Sequence, residues 1–431
     1  MKCLLINPHW TYDGSIYFGC REPHLPLEYG YAQKLLEAAG HEVLLHDGHL
    51  EGLTCGILRQ KAKVFSPDLT VVTTAPSYLF WRCPPPELRI PQETVSAVKE
   101  FTKAIVAIGP HGSVTPRAVL KKLDVDAVIM GEAEEVISRL AGTDRAAWHT
   151  ISSLCLREGE EVRVQGAPHV ADVAALSALS WPRRMIGKHR HHHHRFDAAP
   201  AGPGAEMEAS RGCPYHCSFC ARESFRGPFR KRPLATVLSE LDGLLDHGIE
   251  YLYFIDELFM PDAALLSALK ERPVKFGIQT RIDLWSPEML DLLGEAGCVS
   301  IEAGVESITE KGRMRLNKSC RMSTEELTRL LLHAKRGVPF VQATLMDAHT
   351  DERGAIEQWR QHLRRFGVWA NKPVPLFPYP GSAEYRKHWG APDDRAWERA
   401  HDDYVHRNRV FSDIQDRQFL SLEELEVGGT R

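Results

Sequence analysis

Three cysteines fall within eight residues in the stretch RGCPYHCSFCARESFRG: Cys213, Cys217 and Cys220, spaced C-x3-C-x2-C. The other seven, Cys3, Cys20, Cys55, Cys83, Cys155, Cys298 and Cys320, are scattered without the spacing of a disulfide framework. Three chemistries could explain the crowding. A structural zinc site wants a fourth ligand and usually C-x2-C pairs, and the adjacent His216 is expected to point away from its neighbours. A redox pair needs only C-x2-C and leaves Cys213 superfluous. An iron–sulfur cluster is held by thiolates; one compact loop with this spacing presents three of them and leaves one metal corner without a cysteine. Spacing favours the cluster and leaves the other two open.

The elements around that loop are regular. After the Pro- and Gly-rich close of GKHRHHHHRFDAAPAGPG, a strand–helix series begins with AEMEAS, runs into the cysteine loop, and continues through YLYFID, KFGIQT, CVSIEAGVES, VPFVQATLM and VWANKPV, with helical segments between. Six such repeats predict a partial (β/α)6 barrel over 204–385, with the cysteine loop leaving the carboxyl end of its first strand, where barrel chemistry sits. Residues 1–142 alternate in the same way. Apolar runs at Cys3–Ile6, Glu42–Leu45, Leu69–Thr74, Ala104–Ile108 and Ala127–Met130 read as strands of a parallel sheet covered on both faces. Between the first two, LEYGYAQKLLEAAG places Leu27, Tyr31, Leu35 and Ala39 on one helical face before Gly40. The predicted fold class is therefore α/β: an amino-terminal Rossmann-like parallel-sheet domain, a connector over 143–203, the barrel, and a small helical extension over 386–431. Ligands of such sheets bind at the carboxyl ends of strands, which selects the loops NPHW, TTAPSYLFW, GPHG and GEAEE.

The chain resembles the radical SAM superfamily. SRGCPYHCSFC, YFIDE, RIDLWSPEMLDLLGEAGCVSIEAGVES and PYPGS fall in the order of its cobalamin-associated branch, and LPLEYGYAQKLLEAAGHEV, PDLTVVTTAPSY, AIGPHG and VDAVIMGEAEE look like that branch's cobalamin-binding domain. The resemblance spans about 300 of the 431 residues; it extends to the rhizo-twelve group of cobalamin-type radical SAM proteins. The resemblance implies a [4Fe–4S] cluster on Cys213, Cys217 and Cys220, with S-adenosylmethionine chelating the open iron. It implies cofactor contacts at Phe219, at Asp256 and Glu257 ending the second barrel strand, at Arg281 ending the third, and at Glu306 and Ser307 ending the fourth. For Phe219 an apolar plug, and for the acidic pair a solvated strand end, are the plain alternatives. Cobalamin contacts are implied at Asn7, Pro8 and His9, at Thr74, Ala75, Pro76 and Ser77, at Gly109, Pro110 and His111, and at Gly131 and Glu132.

Two motifs need separate treatment. DGHLEG, Asp47 to Gly52, matches D-x-H-x-x-G, by which some cobalamin enzymes supply a histidine ligand, but it follows the second strand rather than the first. The run His189 and His191–His194, flanked by Arg190 and Arg195, could bind a transition metal, touch an anionic group, or serve as a polar linker. Trp397, Tyr404 and Phe411 recur every seven residues, as a packing face would.

The net charge of −4 and 26% charged residues argue against a broad nucleic-acid surface, and the apolar run after Lys2 is too short for a membrane span. A cytoplasmic enzyme is expected, with a small-molecule substrate between the two domains, an external one-electron reductant, and no nucleic acid or membrane partner. Most relatives of this kind methylate unactivated carbon, with methylcobalamin as donor and a 5′-deoxyadenosyl radical removing hydrogen. A radical SAM reaction without methylation, and a cobalamin-binding sensor with a structural metal, are the rival readings.

Overall fold

A computed structural model describes residues 1–10, 23–76, 86–159, 161–188 and 203–408. The features expected at Ser77, at the histidine run with Arg190 and Arg195, at Cys20 and Cys83, and at Phe411 lie outside these residues. The chain divides into two compact units, one holding Met1–Trp181, Cys220–Gly227 and Pro378–Tyr404, the other holding Pro182–Phe219 and Pro228–Phe377 with the described residues beyond Tyr404.

In the first unit, β1 (Lys2–Asn7), β2 (Glu42–Asp47), β3 (Leu69–Thr73), β4 (Ile105–Ile108), β5 (Ala127–Ile129), β6 (Leu154–Glu158) and β7 (Glu161–Gln165) form one sheet in the order β2-β1-β3-β4-β5-β6-β7. The first five are parallel. Alternation along the strands builds two cores. Cys3, Leu5, Val71, Val106 and Ile129 face the helices Leu27–Ala38 and Glu134–Ala141, while Leu4, Ile6, Val72, Ala107 and Val128 face helices at Cys55–Phe65, Arg89–Val98 and Pro116–Leu123. Chain direction across the sheet reverses between β1 and β3, so the topological switch point lies between their carboxyl ends, at Asn7 and Thr74.

Three expectations are corrected here. Of the face expected on the first helix, Leu27 and Tyr31 are buried, but Leu35 is half-buried and Ala39 exposed, while Tyr29, Ala32 and Leu36 enter the core. The buried face is wider than expected on the Tyr29 side, where the Tyr29 hydroxyl reaches the carbonyls of Ile6 and Val71, at 3.0 and 3.2 Å, and draws that ring onto the sheet. The connector expected over 143–203 is not a connector throughout: β6 and β7 continue the sheet antiparallel to β5, their alternation being masked by the charged outer residues of an edge hairpin. The helical extension expected to begin at 386 falls in a segment, Pro378–Tyr404, that belongs with the first unit. Trp397 is buried there, its ring 4.3 Å from His111 and its Nε1 donating to Thr115 Oγ1 at 2.6 Å.

In the second unit, β8 (Gly204–Met207) is followed by a short antiparallel pair, β9 (Ser210–Arg211) and β10 (Arg230–Lys231). Then come β11 (Tyr251–Phe254), β12 (Lys275–Arg281), β13 (Cys298–Glu306), β14 (Phe340–Asp347) and β15 (Trp369–Ala370), which with β8 make six parallel strands in sequential order, the order of a partial barrel; β16 (Val374–Pro375) adds to β14. Helices at Leu234–Asp246, Ala263–Lys270, Pro287–Glu295, Thr324–Gly337 and Arg353–Arg365 separate the strands. One set of alternate positions is apolar, with the Phe254 ring 5.6 Å from Phe276 and 5.1 Å from Phe259. The opposite set is polar: Gln279 and Arg281 on β12, Ser300, Glu302 and Glu306 on β13, and Gln342 and Thr344 on β14. A filled barrel would put Val, Ile and Leu at such positions. Among the described residues no helix is long and apolar enough to cross a membrane.

Candidate functional site

The cysteine loop leaves β9, and two neighbouring carboxylates hold its entrance. Asp256 and Glu257 follow β11. Asp256 accepts from the Ala209 N–H at 3.0 Å and from the Ser210 hydroxyl; Glu257 accepts from the Gly212 N–H at 2.6 Å, one residue before Cys213. Burial pushes the Asp256 carboxyl up to about 7 despite these donors. Both acids anchor the loop, and Asp256 also lines a crevice with Phe229, Val237 and Phe259 among the other residues. Behind them, Arg232 pairs with buried Glu240 at 2.7 Å and donates to the Glu208 carbonyl at 2.7 Å, while Arg211 pairs with Glu208.

Cys213, Cys217 and Cys220 are half-exposed and in no disulfide, whereas Cys3, Cys155, Cys298 and Cys320 are buried. Burial pushes the Cys3 and Cys155 thiols up to about 11, which makes them inert at neutral pH. The loop's thiols thus fit a thiolate set. Among the described residues no three His, Cys, Asp or Glu side chains form a ready-made metal cage, so the fit rests on thiol chemistry and on the anchored loop. Phe219, partly buried, packs against a cluster of Leu316, Ala348 and Leu376.

Arg281 ends β12 with its guanidinium 3.8 Å from the ring centroid of Tyr215, inside the cysteine motif. It pairs with Asp283 at 2.7 and 3.2 Å. Burial works against its charge, but Asp283 outweighs that and holds its pKa above the ordinary value. Its Nη1 is buried without a hydrogen-bond partner, a donor suited to a carboxylate. Glu306 has φ 61°, lies at a register shift between β13 and β14, and forms a buried ion pair with Lys318. Ser307 is turned elsewhere: its hydroxyl donates to Asp351 at 2.7 Å, and Asp351 also accepts from Ile308 N–H and the Thr309 hydroxyl. Sequence reading missed Tyr215, Asp283 and Lys318. The first two sit within two residues of recognised positions, but Lys318 lies in LNKSC, which reads as an ordinary polar turn.

In the first unit the loops at the carboxyl ends of the strands do converge. The Thr74 hydroxyl lies 3.2 Å from His111 Nδ1, and the Ser113 hydroxyl links the Gly109 carbonyl at 3.0 Å to the Gly131 N–H at 2.9 Å. Gly131, at φ 83°, could carry no side chain, since a Cβ would lie 2.3 Å from the His169 carbonyl oxygen. Most of the expected contact residues are committed to the protein itself. Asn7 joins Asp47 and Trp10, each at 2.8 Å; Glu132 accepts from Ala171 at 2.9 Å and Gly227 at 3.4 Å; Thr74, Ala75, Pro76, Pro110 and His111 are buried, His111 beneath Trp397. Of the side chains expected on a cofactor, His9 stays half-exposed, while Pro8 is buried beside it. DGHLEG is explained by capping: Asp47 accepts from Leu50 N–H at 3.1 Å at the start of the helix Gly48–Glu51, and Gly52 closes it at φ 61°.

Residues 207–359 match the model of the radical SAM superfamily. An uncharacterized methyltransferase of Pyrococcus horikoshii is 25% identical over 397 residues, 89% of this chain and 82% of that protein. The anaerobic magnesium-protoporphyrin IX monomethyl ester cyclase of Cereibacter sphaeroides is 24% identical over 88% of this chain, which spans 63% of that enzyme. The radical S-adenosylmethionine methyltransferase TsrM from Kitasatospora setae, solved with cobalamin and a [4Fe–4S] cluster bound, shares the fold with a TM-score of 0.69 at 18% identity, over 89% of this chain and 77% of that one. Residues 207–359, which carry the anchored C-x3-C-x2-C loop and the parallel strands that follow it, thus match the radical SAM superfamily, and the chain shares the fold of TsrM over 89% of its length.

Proposed function

We propose that this chain is a cobalamin-dependent radical SAM methyltransferase acting on an unactivated carbon of a small molecule. The observation that carries the reading is the half-exposed thiol set on a loop clamped by Asp256 and Glu257, in a chain that takes the fold of TsrM over 89% of its length. When bound, the cluster supplies the electron that cleaves S-adenosylmethionine, and cobalamin supplies a cobalt able to carry a methyl group. The chain's own residues do the positioning. Asp256 and Glu257 fix the origin of the thiol loop, Arg281 Nη1 offers a donor to the carboxylate of S-adenosylmethionine, and the polar positions Gln279, Glu302 and Gln342, paired directly across β12, β13 and β14, offer hydrogen bonds to a polar substrate. On the sheet unit, the switch point between β1 and β3 gives cobalamin a crevice in which it meets backbone and His9 rather than the committed side chains of Asn7, Thr74, His111 and Glu132. An external one-electron donor is required.

The relationship to the cyclase supports a second reading, radical chemistry without methyl transfer. Anaerobic reconstitution with iron, sulfide, cobalamin and S-adenosylmethionine, followed by mass spectrometry with candidate substrates, separates the readings. Methyl transfer adds one methyl per turnover and releases 5′-deoxyadenosine. Deoxyadenosine with a product lacking that mass supports the second reading. Bound zinc with no sulfide overturns both in favour of a structural metal.

A further inference from the structure

Left-handed backbone outside glycine is concentrated at one place in the second unit. Glu306, Asn317, Ser319 and His349 have φ of 61°, 51°, 55° and 56°; Glu306 ends β13, His349 follows β14, and the other two lie in the loop Leu316–Cys320. Asparagine tolerates this region, serine less so, and glutamate poorly, so such a cluster persists only where its surroundings over-determine it. The surroundings are visible. Arg313, fully buried, donates to the Ser307 carbonyl at 2.9 Å and braces the carbonyls of Cys320 and Met322. Lys318, between the two strained residues, is 3% exposed in its side chain and paired with Glu306 at 12%. Gly304 makes room for that pair: a Cβ there would lie 2.7 Å from Glu306 Oε1 and 3.3 Å from Lys318 Nζ.

The strained loop meets the cysteine motif at three points. The Leu316 carbonyl accepts from the Ser218 N–H at 2.8 Å, Asn317 Nδ2 donates to the His216 carbonyl at 2.6 Å, and Leu316 packs with Phe219. His216 and Ser218 flank Cys217. The clamp of Asp256 and Glu257 fixes the loop up to Gly212; these contacts, with the Arg281 guanidinium over the Tyr215 ring, register its middle.

We propose that Leu316–Cys320 is the cradle on which the cysteine loop is registered, and that Lys318, locked to Glu306, is the positioning residue that sets it. This rests on the radical SAM reading, because the loop's cargo is the cluster. The strain is the means: the αL residues turn the Leu316 carbonyl and the Asn317 amide toward the cysteine loop, and the buried ion pair holds the turn.

The test compares the full-length wild type, Lys318→Met, the double variant Lys318→Met with Glu306→Gln, and Asn317→Gly, each reconstituted anaerobically with iron and sulfide. The readouts are thermal melting, iron and sulfide content, the electron paramagnetic resonance spectrum of the reduced cluster, and the rate of iron loss to a chelator. Lys318→Met strands a buried carboxylate and is expected to lower melting. The double variant removes both charges and is expected to restore melting, yet keep an altered spectrum and lose iron about fivefold faster than wild type. Asn317→Gly suits the left-handed backbone, so it is expected to fold and to lose iron faster through loss of the bond to His216. A double variant with wild-type spectrum and iron-loss rate overturns the proposal; if it does not fold, wild-type behaviour of Asn317→Gly does so. A wild type that takes up no sulfide overturns the radical SAM reading itself, and the cradle with it.

Discussion

Glu257 and Gly212 are joined by a 2.6 Å hydrogen bond from backbone N–H to carboxylate, one residue before the first cysteine of the cluster motif. Asp256, next in the chain, holds Ala209 and Ser210 on the other side of the same turn. A single acidic dipeptide just beyond β11 thus holds three loop positions, at Ala209, Ser210 and Gly212. That explains an acidic pair at this strand end without requiring either carboxylate to touch a ligand.

If the pair acts as a clamp, its removal should loosen the cluster before it harms the fold. A hydrogen bond to a charged group is worth about 1.5–3 kcal/mol, so Glu257→Ala should release iron to a chelator roughly tenfold faster than wild type. Glu257→Gln, which keeps an acceptor oxygen, should fall between. Measured binding of S-adenosylmethionine should drop no more than cluster content does. Loss of S-adenosylmethionine binding with full iron and sulfide would instead make Glu257 a direct contact.

Substitution of the cysteines separates cluster from incidental thiols. Cys213→Ala, Cys217→Ala or Cys220→Ala should each cut reconstituted iron from about four per chain to below about one. Cys155→Ala and Cys298→Ala, in the buried set, should leave iron and sulfide unchanged and cost stability of about 1–2 kcal/mol through packing, with the thiol bond to the Ser300 carbonyl lost as well at Cys298. Iron and sulfide assays with visible absorbance decide it, and full iron in any of the first three would remove that residue from the ligand set.

The regular parts of both units were legible because their patterns are local. Apolar runs at Leu69–Thr73 and Tyr251–Phe254 and the helices between them follow from residue order alone, and the cysteine spacing carries its chemistry within eight residues. What escaped was tertiary. Nothing near Trp397 announces that it will cover His111, nor does Lys318 announce a partner twelve residues upstream in Glu306. The protein partners of Asp256, Ser307 and Glu132 were equally hidden, because a polar residue at a strand end looks alike in sequence whether it meets a ligand, a backbone N–H or both.

The capping account of DGHLEG yields a prediction on the cobalamin side. Asp47 and Gly52 close a one-turn helix, which accounts for both ends of the motif without a cobalt ligand at His49. His49→Ala should therefore leave the visible spectrum of protein-bound cob(II)alamin or hydroxocobalamin unchanged and its affinity within about threefold, less than 1 kcal/mol. A spectral shift from a nitrogen-ligated to a base-off form on this substitution would establish His49 as the lower ligand.

His46 and Asp47, neighbours at the end of β2, should push stability in opposite directions with pH. Burial lowers the His46 pKa from 6.5 to about 4, so the folded state holds it neutral while the unfolded state still binds a proton; this contribution makes stability rise with pH between about 4 and 6.5. Burial raises the Asp47 pKa from 3.8 to about 6, so the folded state holds the extra proton and stability falls with pH between 3.8 and about 6. Each is worth at most about 3 kcal/mol, and in the wild type they largely offset. Asn fills the cap position as well as Asp does, so Asp47→Asn leaves the His46 slope exposed, while His46→Gln leaves that of Asp47. Urea unfolding from pH 4 to 6.5 should show stability rising with pH in the first variant relative to wild type and falling in the second. Parallel profiles for the two variants would mean that neither group titrates abnormally in the folded protein.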